Sequence, residues 1–296
     1  MGNNNLFYPL IDNLFKLPLA VYNLTHKLPD YVEYQPKDNI YYGNTILLPM
    51  GLNRNNKEVF LELSQSSPIT YIVGNTGSGK STLLRCLLTT IINNYKHVKL
   101  VLCDAKLCEL SLFKICNNVN FYYTLEDISN AIDSLYDEVI VKYNNLMNSN
   151  RYACNIHQET TILIIEEMAL LNDKKLQKKL LSLLSICRCT NTYCIFTTQR
   201  PSNDVIPPTI KALVSNRIVL RVEDKKNSII ALDQEGAELL KGNGHAILKN
   251  ANGTCEFRSY YINDNTLLDI INKNKNNVSN TCNTINCGDT SWINRL

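Results

Sequence analysis

Lys80 and Ser81 close the run Gly74-Asn75-Thr76-Gly77-Ser78-Gly79-Lys80-Ser81-Thr82, and residues of these types in this order suit one kind of chemistry, the holding of a triphosphate. The three glycines let backbone N–H groups turn inward around a diphosphate. The Lys80 ammonium supplies charge to the outer phosphates, and the Ser81 hydroxyl is offered to a magnesium ion. An apolar strand pattern, Ile69-Thr70-Tyr71-Ile72-Val73, comes before the run and a helical one, Leu83-Leu84-Arg85-Cys86-Leu87-Leu88, after it. The opening of that helix adds the positive end of its dipole. Residues 74 to 82 are therefore assigned to a nucleoside triphosphate.

Cleaving a phosphoanhydride also needs a metal held from two sides and a group that orients water. Four aliphatic residues, Ile162 to Ile165, lead into Glu166-Glu167, and successive side chains at a strand end point to different sides. Glu166 sits where the metal-side acid belongs, which leaves Glu167 for the water; the alternative is a pair of solvated loop glutamates. Gln199, at the end of the next apolar run, could sense the γ-phosphate, with Arg200 meeting a backbone or neighbouring group. Arg217, one strand further on, either reaches the phosphates of an adjacent subunit or makes a structural ion pair.

The elements that must position these groups follow from the hydrophobic pattern. Residues 46–63 read as a β-hairpin. Apolar runs at 97–103, 120–123, 160–165, 193–198 and 216–222 read as strands, and residues 125–148 and 172–187 as long amphipathic helices. A short helix is expected at 209–213, helices at 227–232 and 235–240, and a closing hairpin from 244–249 and 256–262. Strands alternating with helices predict an α/β fold, a mainly parallel sheet with helices on both faces. Residues 1–45 read as an arm of short helices and turns. The polar stretch 263–296 reads as a tail, disordered from about residue 272 to Trp292.

With 296 residues and 45% hydrophobic content the chain can bury one α/β domain, and a net charge of +3 neither demands nor excludes a nucleic-acid partner. Eleven cysteines scattered through strands and helices read as reduced thiols of a cytosolic protein. Cys187-x-Cys189 and Cys282-x4-Cys287 lack the companion ligands of a zinc site. The apolar stretch 6–24 carries Asp12, Asn13, Lys16 and two prolines, so it reads as a packed arm, or a docking segment for a partner or membrane surface, rather than a span.

In these elements the chain resembles the motor domain of the FtsK/SpoIIIE family, in the FtsK–HerA group of P-loop ATPases. The likeness rests on residues 74–81, Asp104-Ala-Lys-Leu-Cys-Glu-Leu110, Ile164-Ile-Glu-Glu167, Thr198-Gln-Arg-Pro201 with Asp204-Val-Ile206, Ile210-Lys-Ala212 with Arg217-Ile218, and Leu232-Asp-Gln-x-Gly-Ala-Glu238 with Gly242-x-Gly244. It implies a RecA-like P-loop NTPase over residues 46–262 that uses ATP and Mg2+. By position, Lys80 and Ser81 match its phosphate and magnesium residues, Glu166 its metal-side acid, Glu167 its catalytic acid and Gln199 its sensor. Three departures stand out: Glu166 replaces an Asp, Ala105 a proline, and Ile229 an arginine found in many members, which makes Arg217 the better candidate for a contribution to a neighbour's site. The resemblance further implies a cytoplasmic hexameric ring that moves double-stranded DNA, in chromosome or conjugative transfer, with the arm available for a membrane or partner contact. A type VII protein-secretion ATPase and a weakly active regulatory module are the alternatives.

Overall fold

The apolar runs become one eleven-stranded sheet. The computed structural model describes residues 27–37, 41–42, 45–148, 159–171 and 173–275. Six strands are parallel, in the spatial order β9 (Asn216–Leu220), β4 (Ile69–Val73), β8 (Thr192–Thr198), β7 (Thr161–Glu166), β5 (Lys99–Asp104) and β6 (Val119–Tyr122). From β9 the sheet continues antiparallel through β10 (His245–Asn250), β11 (Gly253–Ser259) and β2 (Thr45–Asn53), which pairs with both β1 (Tyr41–Tyr42) and β3 (Glu58–Leu63).

Alternation along the buried strands feeds two apolar layers. Ile72 of β4 points to one face, where it meets α1 (Lys80–Asn94) and α6 (Asp264–Asn274) through Leu84, Leu87, Ile91, Leu267 and Ile271. Tyr71 and Val73 point to the other face, which is covered by α2 (Leu125–Asn148), α3 (Lys174–Ile186), α4 (Pro208–Lys211) and α5 (Lys225–Leu232). Ile128, Ile132, Leu135, Val139 and Leu146, the expected core stripe of α2, are all buried.

Three expectations need correction. The polar tail does not begin at residue 263: Asn263 caps α6 by accepting from the Thr266 N–H at 2.8 Å, and Leu267, Ile270 and Ile271 are buried at helical spacing. Residues 235–240 form a short 3-10 turn, Ala237–Leu239, opened by Gly236 at φ 126°, instead of a second helix. The domain also starts ahead of residue 46. Leu28 and Tyr34 are buried, and Glu33 bridges Tyr261. Residues 1–26 with the stretch 6–24, residues 276–296 with Trp292, and Cys282 and Cys287 lie outside the described residues. All eight cysteines among the described residues are free.

Candidate functional site

The C-terminal ends of β4, β7 and β8 converge, and each delivers one part of the site. From β4 the chain turns into the phosphate loop, which is pinned at its start by the Gly74 N–H donating to the Thr198 carbonyl at 3.2 Å and the Asn75 N–H to that of Arg221 at 3.0 Å. Gly77 and Gly79 have φ of 74° and 102°, values that favour glycine. An added Cβ on Gly79 would also collide with the backbone of Gly244, whose N–H donates to the Ser78 carbonyl at 2.7 Å. Around Gly77 the space is open, as a ligand cradle requires. The loop lies in a cleft of about 600 Å³ that includes Asn75, Thr76, Gly79, Lys80, Ser81 and Thr82 in its lining.

Lys80 is buried, and its Nζ donates to Glu166 Oε1 at 2.6 Å and to Thr197 Oγ1 at 3.3 Å. A buried lysine without a carboxylate would be costly, and pairing with Glu166 compensates both charges. Glu166 Oε2 and Ser78 Oγ are buried with no hydrogen-bond partner. Buried polar atoms are ordinarily satisfied, so this open acceptor, on the carboxylate that pairs with the cleft-lining Lys80, fits a magnesium–triphosphate that would complete the set together with the cleft-lining Ser81. A magnesium ion is commonly held by one or two carboxylates and the substrate's phosphates. No cluster of three or more His, Cys, Asp or Glu able to hold a metal exists among the described residues.

Glu167 takes a different environment from its neighbour, as alternation requires. Its backbone is left-handed, at φ 60° and ψ 76°, and its N–H donates to Thr197 Oγ1 at 3.2 Å. One carboxylate oxygen accepts from Thr198 Oγ1 at 2.7 Å and from the Gln199 N–H at 3.3 Å, the other from Lys106 Nζ at 3.0 Å. Burial works to raise the Glu167 carboxyl, but the Thr198 hydroxyl and the Lys106 ammonium outweigh it and hold the group below its ordinary value. Non-glycine residues in this conformation cluster at functional sites. Gln199 reaches the phosphate loop, its Oε1 accepting from Thr76 Oγ1 at 3.2 Å.

Over residues 28–248 the chain matches the model of the FtsK/SpoIIIE family. The chain belongs to this family. It is 28% identical over 257 residues to the DNA translocase FtsK of Chlamydia pneumoniae, covering 76% of this chain and 32% of that one. It is 27% identical over 223 residues to the DNA translocase SpoIIIE of Bacillus subtilis, covering 67% and 28%. The chain thus spans about a third or less of the length of these curated relatives. Its fold resembles that of the conjugation coupling protein TcpA of pCW3, at 22% identity and a TM-score of 0.73 over 84% of this chain and 76% of that one. It also resembles the cytoplasmic domain of the type VII secretion ATPase EccC of Thermomonospora curvata, at 21% identity and a TM-score of 0.64 over 82% and 32%. The RecA-like P-loop fold is therefore established for this FtsK/SpoIIIE chain.

Of the residues singled out in the sequence, the fold gathers residues 74–82, Glu166, Glu167 and Gln199 and leaves Arg217 apart. The Arg217 guanidinium pairs with Asp233 of its own chain, which also accepts from Lys211 Nζ at 2.7 Å. That is the structural ion pair posed above as the alternative to a reach into a neighbour's site. Sequence reasoning gave no role to Lys106. Asp104, buried at the end of β5, accepts from the N–H groups of Lys106, Glu109 and Leu110, each at 3.0 Å, and so sets the turn that aims Lys106 at Glu167. An aspartate at a strand end with a lysine two residues on was the available signal.

Proposed function

We propose that this FtsK/SpoIIIE chain is a cytoplasmic ATPase motor that moves double-stranded DNA as a homo-oligomeric ring, a hexamer, in chromosome or conjugative transfer. The observation that carries the reading is the division of labour between two adjacent buried carboxylates, one paired with Lys80 and open at its second oxygen, the other held by Lys106 and Thr198. The triphosphate draws Lys80 away from Glu166. Ser81 and Glu166 are the residues that would hold magnesium, which when bound neutralises charge on the phosphate oxygens. Glu167, kept ionised by its partners, accepts a proton from the attacking water and orients it. Gln199, tied to the phosphate loop through Thr76, couples the end of β8 to the state of the nucleotide.

The relatives named DNA translocases support DNA as the substrate, and the surface agrees. Lys174, Lys175 and Lys178 are exposed at the start of α3, without an ion pair among the described residues. Asp173 caps that helix by accepting from the Lys175 and Leu176 N–H groups, which leaves the three exposed ammonium groups as a local cationic surface that phosphates would meet. No helix among the described residues is long and apolar enough to cross a membrane. The test is ATP turnover with and without duplex DNA over a range of salt. DNA should stimulate turnover, and the stimulation should fade as salt rises, because phosphate contacts release counterions. Turnover indifferent to DNA at low salt would refute the translocase reading.

A further inference from the structure

The cleft lined by the phosphate loop is also lined by a feature the reading above does not use. Residues 28–34 run along the end of β11 and are laced to it by backbone bonds. The Tyr261 N–H donates to the Val32 carbonyl and the Tyr34 N–H to that of Tyr261, each at 2.8 Å, and Arg258 Nε donates to the Pro29 carbonyl at 3.0 Å. Tyr34 is buried, with its hydroxyl 2.8 Å from Thr90 Oγ1 of α1 and its ring edge-on to Tyr260, centroids 6.1 Å apart. This anchoring fixes Tyr31 beside Tyr261. Their centroids lie 5.6 Å apart with planes tilted by 46°, and both rings line the cleft that holds Lys80 and Ser81. Tyr34 and Tyr260 are turned into the core, whereas Tyr31 and Tyr261 stay 59% and 46% exposed. Two ordered aromatic side chains left exposed on the cleft that holds the phosphate loop have the chemistry of a platform for a flat heterocycle.

We propose that Tyr261 and Tyr31 form the wall against which the base of the bound nucleotide stacks, so that residues 28–34 are a component of the nucleotide site. The inference rests on the triphosphate assignment and deepens it. The wall reads the π-face of the base, and base–aromatic stacking of this kind tolerates any base. Tyr261 is the more firmly held of the pair, tied through both its N–H and its carbonyl, so its ring is the main platform and Tyr31 the flank.

The experiment compares two probes, magnesium-ATP and magnesium-tripolyphosphate, titrated calorimetrically against the wild-type chain and its Tyr261→Ala, Tyr261→Phe and Tyr31→Ala variants. Tyr261→Ala should weaken ATP binding about tenfold or more, the usual worth of one stacked base, and leave tripolyphosphate binding unchanged. Tyr261→Phe keeps the ring and should bind ATP as the wild type does, and Tyr31→Ala should give a smaller loss confined to ATP. Unchanged ATP affinity in Tyr261→Ala, or equal losses for both probes, would overturn the base wall while leaving the triphosphate site in place. If the wild-type chain takes up neither probe, the triphosphate assignment falls and the wall with it.

Discussion

Replacing Glu167 by glutamine tests the division of labour between the two acids most directly, because the structure separates what the change does to rate from what it does to stability. The isosteric amide keeps an oxygen that can still accept from Thr198 Oγ1 and the Gln199 N–H. It loses the charge that pairs with Lys106, yet the Lys106 side chain is 35% exposed, so water takes over much of that solvation. For a pair with one partner this accessible the loss of stability is about 1 kcal/mol. A missing general base costs ~10² to 10⁴ in rate, equivalent to about 3 to 6 kcal/mol of barrier at ~1.4 kcal/mol per decade. Lys80 and Ser81 are untouched, so Glu167→Gln should bind ATP as the wild type does and melt within a few degrees of it, while single-turnover hydrolysis falls a hundredfold or more. A variant that keeps more than about a tenth of the wild-type rate, or that loses ATP binding in step with turnover, would refute the assignment.

Lys106→Met should shift the acid side of the molecule. A carboxyl held below its unfolded value of 4.5 adds stability that is complete above that value and is lost as pH falls through the folded one. Without the Lys106 ammonium the folded value rises, so both the acid limb of the pH–rate profile and the acid-side fall in Tm should move to higher pH; profiles superimposable on wild type would sink the idea. Arg217→Ala should lower stability by about 1 kcal/mol, since its partner Asp233 is half exposed. Mixed with wild type, that variant should depress ATPase activity only in proportion to its fraction; a steeper loss would restore a cross-subunit role.

The phosphate loop, both acids and the α2 stripe could be read from the chain because each is local: a strand, a turn and a helix whose apolar period says which way they face. The antiparallel half was harder to read. Residues 28–34 carry no sustained period, and what orders them is the backbone of Tyr261 at the far end of the chain. Helix α6 falls within the stretch 263–296 read as a polar tail, whose Asn- and Lys-rich part begins only near residue 272, and Leu267, Ile270 and Ile271 bear the helical spacing. For Arg217 the alternatives could not be separated without Asp233, which reaches it only through the left-handed turn that ends α5. Residue types show what a group can do; whether it is free to do it depends on partners distant in sequence.

The bond from Gly244 to the Ser78 carbonyl has a consequence for how the chain is made. Ser78 lies in the first third of the sequence and Gly244 in the last, and Gly244 is itself held by the Ser259 N–H donating to its carbonyl at 2.7 Å. A slip of one residue in the pairing of β10 with β11 displaces a strand by about 3.3 Å, enough to break the clasp and to put a residue with a side chain where Gly244 meets Gly79. The phosphate cradle therefore closes only after the final hairpin has emerged from the ribosome and found its register. Contacts between such distant segments form late, since closing the long intervening loop must be met first. A nascent chain cut short before β11 would carry the whole phosphate motif without its backing, leaving an incomplete motor poorly equipped to hold nucleotide.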